Sequence, residues 1–318
     1  MDKASQFASR AAPPGVCPRV SVIIPHLNMP EMLLRCLESV VAQKLDYGLI
    51  EIIVVDNGSH VSLDSVSAAY PQLTILHEPR PGPGMARNRG IAAANAPVLV
   101  FIDADCRAAP GWLAAAVEAV EPMPNTTVVG GDVRIDFRDP KHLTAIEAYE
   151  AVFAFRQRFY IKTRHFSGTG NLAMGAAVHR QVGPFAGIEI AEDMDWGQRA
   201  HAAGFVTRYV PSMCVYHPAR KDFSGLASKW QRHISHEFYV HREKNLSMLR
   251  WRLISLAVLA SIFVHGTRMF TSRRLSGFGN RMRGLTLLAR TRWYRFIEMS
   301  RVARTPSQSG ALFWNRQS

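Results

Sequence analysis

Short apolar runs alternate with segments of helical spacing through the first two thirds of the chain. The runs occupy residues 21–26, 50–56, 73–78 and 98–103. Their near-continuous Val, Ile and Leu content is typical of strands that are covered on both faces. In the segment that starts at Met29, apolar positions recur at intervals of three and four, which predicts a helix. This alternation predicts an α/β fold with a mixed, mainly parallel central sheet.

The same two patterns continue toward the C-terminus. Apolar runs predict strands over residues 127–135 and 205–218, and a Gly-rich turn leads into an apolar segment over 166–174. Helical spacing predicts one continuous helix over 143–161 and another over 192–205, which begins at acidic residues and ends at a glycine. A further helix is predicted between about Phe223 and Arg242 and leads into a different kind of sequence.

The charge of the chain is concentrated at its C-terminal end. Residues 1–240 contain 23 basic and 23 acidic residues, whereas residues 241–318 contain 15 basic and 2 acidic residues. The 318-residue chain is 47% hydrophobic, which excludes a disordered or collagen-like protein. We therefore expect a flexible leader (1–18), a neutral globular domain (19–240) and a basic, partly apolar helical C-terminal region (241–318).

The longest apolar run lies inside the basic region, from Leu253 to Val264. Its twelve residues are fewer than the roughly 20 that cross a bilayer. Arg250 and Arg252 precede the run and Arg268 follows it. Three interpretations remain open: a buried helix, a helix lying in the interface of an anionic membrane, and a true span.

Cysteine content and the N-terminal sequence bear on the compartment. The four cysteines have no metal-ligand spacing, and no apolar stretch typical of a signal peptide follows Met1. Free thiols in a reducing cytosol are the simplest interpretation. We expect a cytoplasmic protein, with peripheral attachment to the cytoplasmic face of the inner membrane as an extension of that expectation.

Two acids follow the predicted strand VLVFI. Asp103 and Asp105 are separated by one residue, so an extended chain points both carboxylates to the same side. Such oxygen ligands suit Mg²⁺ or Mn²⁺ that is shared with substrate phosphates. A solvated pair in a surface loop is the alternative. His217, after another strand, is a possible further ligand only if the fold brings it to Asp105.

Three other segments carry polar groups at the predicted ends of strands or helices. Asp56 opens the turn sequence DNGS, where its carboxylate suits a ribose hydroxyl or a base N–H, although a simple tight turn explains it equally well. The loop that contains Gly84 opens a helix and suits phosphate, with Arg87 or Arg89 adding charge. Glu192 and Asp193 start a helix, where they act either as helix-dipole partners or as a general base.

The order of these motifs resembles family 2 glycosyltransferases of the GT-A fold, a Rossmann-like fold of nucleotide-diphospho-sugar transferases. The segments run VSVIIPHLN, EIIVVDNGS, GPGMARNRGIAAA, VLVFIDADC, GTGNLAM, EDMDWGQRAHAAGF and VPSMCVYHP, and together they cover residues 19–218. Each segment is weakly specific alone. Their order is specific.

The resemblance implies residues that bind the nucleotide-sugar donor. These are Pro25, Asp56, Gly84, Arg89 and Asp103, of which Asp103 would touch the ribose or the metal. It further implies a divalent cation, Mn²⁺ or Mg²⁺, held on the diphosphate by Asp105, with His217 as a further ligand. A UDP-sugar is the default donor, because UDP donors are the commonest in the family, and GDP and dTDP donors stay open.

The resemblance also implies the acceptor side and the reaction. Gly170 and Asn171 would line the sugar and acceptor, and Asp193, with Glu192 beside it, matches the catalytic base. A metal-dependent, inverting transfer to a hydroxyl acceptor follows, the acceptor being a polysaccharide or a lipid-linked oligosaccharide intermediate. Two alternatives are a catalytically inactive nucleotide-sugar-binding protein and a basic nucleic-acid-binding protein. We expect no nucleic-acid partner, because the body of the chain is neutral.

The sequence departs from the family pattern at two places. Processive members carry Q-x-x-R-W after the acidic motif, whereas this chain reads SKWQRHISHEF from Ser228, which favours a non-processive enzyme. The first acidic motif has Asn57 where a second aspartate is common, so this position supplies no second charge.

Overall fold

The computed structural model describes residues 17–43 and 50–304, and within them eight strands form one sheet. The strands are β1 (Val20–His26), β2 (Ile50–Asp56), β3 (Thr74–His77), β4 (Val98–Ile102), β5 (Arg107–Ala108), β6 (Val128–Asp136), β7 (Asn171–Gly175) and β8 (Thr207–Pro218). Their spatial order is β3-β2-β1-β4-β7-β6-β8-β5. The predicted α/β class with a mixed sheet is confirmed.

The first four strands of this order form a parallel block. β1 pairs in parallel with β2 and β4, and β2 with β3. The pairings of β7 with β4 and β6, and of β5 with β8, are antiparallel. The chain builds outward from β1 through β2 to β3 and then returns to β1's other edge with β4. In such sheets, ligands bind outside the carboxyl ends of the strands where this reversal occurs.

Burial explains why these segments become strands. β1 and β4 are buried along their whole lengths, because helices cover both faces of the parallel block. The core beside them includes Ile23, Leu99, Phe101 and Trp196, all at most 1% exposed. Consecutive β-branched and aliphatic residues suit this double burial, as the apolar runs predicted.

Eleven helices occur in the described residues. They are α1 (Pro30–Val41), α2 (Asp64–Ala69), α3 (Pro83–Ala93), α4 (Trp112–Val120), α5 (Ala145–Phe153), α6 (Gln157–Arg164), α7 (Ala176–Val182), α8 (Glu192–Ala202), α9 (Phe223–Glu243), α10 (Met248–Thr271) and α11 (Phe278–Arg304). The prediction of one continuous helix over 143–161 is wrong, because residues 154–156 interrupt the helix and separate α5 from α6. Phe153 packs in one hydrophobic cluster, while the side chain of Gln157 hydrogen-bonds with Gly168 in another part of the fold.

The described residues divide into two compact units. Unit 1 comprises 17–43, 50–134 and 156–217, and unit 2 comprises 135–155 and 218–304. The predicted boundary after residue 240 falls inside α9, which belongs wholly to unit 2. The predicted leader falls outside the described residues except for its last two positions.

Unit 2 is helical, and α10 packs along α11 within it. Trp251 and Met269 of α10 are at most 3% exposed, and the Trp251 indole donates to the Met299 carbonyl at 3.0 Å. The opposite side of α10 is exposed, including Phe263 at 83%. The interpretation of residues 253–264 as a buried helix is therefore wrong. Among the described helices, α10 is long and apolar enough to cross a membrane.

Candidate functional site

The carboxyl ends of β1, β2 and β4 bring together residues from three predicted motifs. In the register of β1 and β2, Pro25 lies opposite Val55 and His26 opposite Asp56. Asp103 directly follows β4, on the other side of β1. The parallel topology thus gathers Pro25, Asp56 and Asp103 at one edge of the sheet, where the strand order reverses.

Asp56 lies in a network of hydrogen bonds. Its carboxylate accepts from the Ser59 hydroxyl and backbone N–H and contacts Nδ1 of His26 at 3.2 Å and of His77 at 3.3 Å. Burial opposes its ionisation, but these bonds outweigh burial and hold the pKa of Asp56 below its ordinary value. An open groove of about 420 Å³ runs beside Asp56 and is bounded by Leu63, Leu76 and His77. The result is an ionised acceptor next to space for a ligand.

Hydrogen bonds of the Asn57 side chain connect the loop after β3 to the end of β2. Its side-chain amide donates to the carbonyls of Glu78 (2.9 Å) and Arg80 (2.7 Å), and its oxygen accepts from the Gly82 N–H (2.7 Å). An aspartate has no N–H to donate, so it cannot make the two bonds to carbonyls. This is a physical reason for the asparagine that departs from the family pattern.

Helix α3 approaches the sheet and the loop before α8 through glycines. A Cβ on Gly84 would lie 2.2 Å from the Ala186 carbonyl oxygen, and one on Gly90 would lie 2.5 Å from Ile23 Cγ2. Asn88, between them, exchanges two hydrogen bonds with the backbone of Phe185 at 2.8 and 2.9 Å. The predicted donor residue Gly84 therefore has a packing role in this structure.

Arg87 joins the acid after β4 to the acid at the start of α8. Its guanidinium donates to Asp103 Oδ1 at 2.7 Å and to Glu192 Oε1 at 3.0 Å, and the residue is 2% exposed. Burial lowers the pKa of Arg87, but these two carboxylates raise it above its ordinary value. The bridge connects two motifs that are 89 positions apart in the sequence, from Asp103 to Glu192.

The resemblance singled out Arg89, but the structure places Arg87 in the network. Arg89 is exposed on the opposite side of α3, where its charge acts on Glu78. Arg87 was one of two alternatives from the residues alone. The sequence does contain a feature that distinguishes Arg87 from Arg89. Gly84 and Gly90 lie three positions before and after Arg87, so all three residues share the helix face that packs inward.

Asp105 lies beside His217, as the sequence required for a joint metal site. His217 Nε2 is 3.2 Å from Asp105 Oδ2, and both side chains are about one quarter exposed. Burial opposes ionisation of Asp105, but the His217 imidazole lowers its pKa below the ordinary value. A carboxylate oxygen and an imidazole nitrogen are ligands that Mn²⁺ accepts, and their exposure leaves coordination positions for substrate oxygens. In the described residues, no cluster of three or more such protein ligands occurs.

Gly170 and Asn171 occupy different environments. A Cβ on Gly170 would lie 2.3 Å from Asp103 Oδ2, so glycine leaves room for that carboxylate. Asn171 is 0% exposed; its amide donates to the carbonyls of Asp132 and Met213, and its oxygen accepts from the Trp112 indole. Both N–H groups of Asn171 are thus committed to the protein, and its place on the sugar and acceptor side stays a prediction.

Glu192 and Asp193, at the start of α8, lie in different environments. Glu192 is 7% exposed and bound to Arg87, whereas the Asp193 carboxylate accepts from the Met194 N–H at 2.7 Å. Burial, and then the charge of Glu192, raise the pKa of Asp193 to about 6. A carboxylate with this pKa is ionised at neutral pH and more basic than an ordinary aspartate. This arrangement suits proton abstraction from a hydroxyl group.

Comparisons with known proteins identify the family of the chain. The model of the family "Glycosyl transferase family 2" matches residues 21–182. The chain is similar to glycosyltransferase AglE of Haloferax volcanii, 33% identical over 76% of this chain and 80% of that one. It is also similar to the putative glycosyltransferase EpsH of Bacillus subtilis, 25% identical over 73% and 70%.

A solved structure has a similar fold. It is a mannosyltransferase, PcManGT, from Pyrobaculum calidifontis in complex with GDP-Man and Mn²⁺. The TM-score is 0.57 with 16% sequence identity, and the match covers 96% of this chain and 94% of that one. At this identity the likeness concerns the fold, and it extends over both units of the chain.

Proposed function

The chain belongs to glycosyl transferase family 2 and has the GT-A fold, and from this premise we propose a metal-dependent, inverting sugar transfer to a hydroxyl acceptor. The enzyme is a glycosyltransferase that uses a nucleotide-sugar. The observation that carries the finer proposal is the Arg87 bridge. It joins Asp103, on the predicted donor side, to Glu192, the neighbour of the predicted base. This network supports the proposal, because it connects a residue proposed to bind the donor with the neighbour of the proposed base.

The nucleoside of the donor would lie at Asp56 and Pro25. The ionised Asp56 carboxylate accepts hydrogen bonds, and the groove of about 420 Å³ beside it supports a base or ribose there. Asp103 would contact the ribose, held in orientation by Arg87. UDP-sugars remain the default donors, and the GDP-Man in the mannosyltransferase structure makes GDP-sugars the first alternative to test.

Asp105 and His217 would hold the divalent cation. Their oxygen and nitrogen donors favour Mn²⁺ over Mg²⁺, which prefers oxygen ligands. The Mn²⁺ in the mannosyltransferase structure supports the same choice. When bound, the cation would neutralise charge on the departing nucleoside diphosphate.

Asp193 would remove the proton from the acceptor hydroxyl. Its pKa of about 6 keeps it ionised at neutral pH and able to take up that proton as the oxygen attacks. The attacking oxygen forms a bond to the anomeric carbon while the bond to the diphosphate oxygen breaks on the opposite side. One displacement inverts the anomeric centre, so a single carboxylate base suffices.

The acceptor would be a polysaccharide or a lipid-linked oligosaccharide intermediate on the cytoplasmic side of a membrane. The missing Q-x-x-R-W sequence favours the addition of one or few sugars. The basic composition of residues 241–318 supports a location near anionic lipid. These proposals concern the acceptor and the location, and they are independent of the donor chemistry.

Thermal unfolding with UDP-, GDP- and dTDP-sugars, each with and without Mn²⁺, tests the donor and metal proposals together. Binding to the folded state raises Tm by mass action. We expect one nucleotide class to raise Tm in a Mn²⁺-dependent manner, and Asp105→Ala to remove the dependence on Mn²⁺. A well-folded protein that responds to no donor would contradict the proposed donor site. Binding without turnover on any hydroxyl acceptor would instead favour an inactive binding protein.

A further inference from the structure

Helix α10 of unit 2 has an apolar surface that faces outward. Its exposed side carries large apolar residues that are more than half exposed: Leu249, Leu253, Leu256, Phe263 and Val264. Residues of this size usually cover a core, and a contiguous exposed group of them marks an interaction surface. We call these five residues the outer face of α10.

Arginines lie at both ends of this outer face. Arg250 and Arg252 precede its centre and Arg268 follows it, and all three are exposed. The 15 residues between Arg252 and Arg268 contain no lysine, arginine or acid. An apolar centre with cationic ends complements a surface that has a hydrocarbon interior and anionic headgroups. A protein partner would need a matching pattern of acids around an apolar groove.

The contacts between the inner side of α10 and α11 indicate how α10 would be oriented relative to a membrane. His265 contacts the Arg292 guanidinium of α11 at 3.0 Å, and Arg281 of α11 donates to the carbonyls of Met269 and Leu275 at 2.6 and 2.8 Å. A membrane-crossing α10 would draw these arginines of α11 toward the hydrocarbon, which is costly. A helix that lies flat buries only its outer face and leaves α11 on the aqueous side.

We propose that α10 lies in the plane of an anionic phospholipid bilayer, with its outer face inserted among the acyl chains and its terminal arginines among the headgroups. This inference deepens the proposed location of the enzyme. It identifies the element that docks, the residues that insert and the lipid charge that is required. Docking does not depend on which sugar is transferred.

Co-sedimentation of the full chain with vesicles tests the docking. We expect binding to phosphatidylcholine vesicles that contain phosphatidylglycerol, weak binding to phosphatidylcholine alone, and a loss of binding as salt rises. A Leu256→Glu/Phe263→Glu variant should bind at least about tenfold more weakly, because it loses two inserting side chains. Val206→Glu is the matched control, since Val206 is 67% exposed but lies in unit 1.

A depth measurement distinguishes a flat helix from a span. A fluorophore is placed on Leu249→Cys or Leu256→Cys in a Cys17→Ser background, because the other three cysteines are buried. Leu249 lies at the start of α10 and Leu256 lies nearer its middle, about 10 Å away along the axis. Lipid-borne quenchers should report the same shallow depth at both positions. Depths that differ by most of that distance would overturn the flat orientation.

Three further outcomes test the docking surface and separate this inference from the proposed function. Equal sedimentation of the Leu256→Glu/Phe263→Glu variant and the Val206→Glu control would overturn the outer face as the docking surface. Retention of the donor-dependent Tm increase in the docking variant would show that the donor site is intact. A chain ending at residue 304 should still bind vesicles; loss of binding would assign docking to the residues beyond it.

Discussion

The two units bury arginine in opposite ways. Arg87 of unit 1 is 2% exposed and is paired with two carboxylates, which raise its pKa. Arg292 of unit 2 is 7% exposed, and in the described part of the chain it forms no ion pair with a carboxylate; burial lowers its pKa. In unit 1 the buried Arg87 is balanced by carboxylates of the candidate site. Unit 2 holds excess positive charge, which suits attraction to an external anion.

The same difference extends beyond these two residues. Burial lowers the pKa of Lys229 to about 8 and that of Arg295 to about 10, and both lie in unit 2. The guanidinium of Arg295 packs over the Trp230 ring at 3.9 Å, so part of its stabilisation comes from an aromatic face. Removing one partner of a buried ion pair strongly destabilises a protein, whereas removing a buried charge that has no partner should cost little stability.

The largest effect is expected at Asp193, where the paired network adjoins the proposed chemistry. Asp193→Asn cannot accept the acceptor proton, so we expect turnover to fall about a thousandfold. Donor binding by thermal shift should persist. Asp195→Asn is the matched control on the same helix turn, because Asp195 forms an i,i+4 pair with Arg199 instead. Comparable losses of turnover in the two variants would contradict the role of Asp193.

The next largest effect is expected at Arg87. Arg87→Met removes the buried cation that bridges Asp103 and Glu192, which should lower the free energy of unfolding by about 3 kcal/mol. Urea unfolding measures the change. Arg89→Met is the control on the same helix, and its exposed position should keep the change within about 0.5 kcal/mol. If both variants unfold at the same urea concentration, the Arg87 bridge contributes nothing to stability.

These two arginines also show how far sequence reasoning reaches. The parallel block was predictable, and with it the meeting of Asp56 and Asp103 at one edge, because buried strands read as continuous apolar runs. The choice between Arg87 and Arg89 depends on which face of α3 packs inward. The glycines at 84 and 90 mark that face, but only their contacts with Ala186 and Ile23 make the reason visible.

Other features depended on tertiary contacts without a local signal. The break between α5 and α6 has no glycine or proline, and it follows from where Phe153 and Gln157 find partners. Asn171 was expected at the sugar because of its motif, yet its amide is used between β6 and β8. The apolar run 253–264 was shorter than a span, whereas α10 extends to 24 residues, because polar residues at both ends continue the helix.

A third effect concerns pH. The pKa of Asp193 is raised from 3.8 to about 6, so kcat/KM should fall about tenfold per unit below pH 6 as the base becomes protonated. The same shift predicts a stability effect. Because the folded state holds this proton more tightly, its stabilisation is present below pH 4 and lost as the pH rises through 6.

Asp193→Asn carries no ionisable group at this position. It should therefore have a higher Tm than the wild type at pH 7 and an equal Tm at pH 4, which calorimetry can measure. A Tm difference that does not change between these pH values would argue against the raised pKa.

The smallest effect is expected at Arg292, and it is the most direct way to break the comparison. Arg292 has a buried Nε without a hydrogen-bond partner, and its described contacts include no carboxylate. Arg292→Met keeps an extended side chain and removes a buried charge, so the free energy of unfolding should stay equal or rise by about 1 kcal/mol. Urea unfolding beside Arg87→Met gives the test. A loss near 3 kcal/mol in Arg292→Met would mean that unit 2 compensates this charge internally, and the contrast between the units would then disappear.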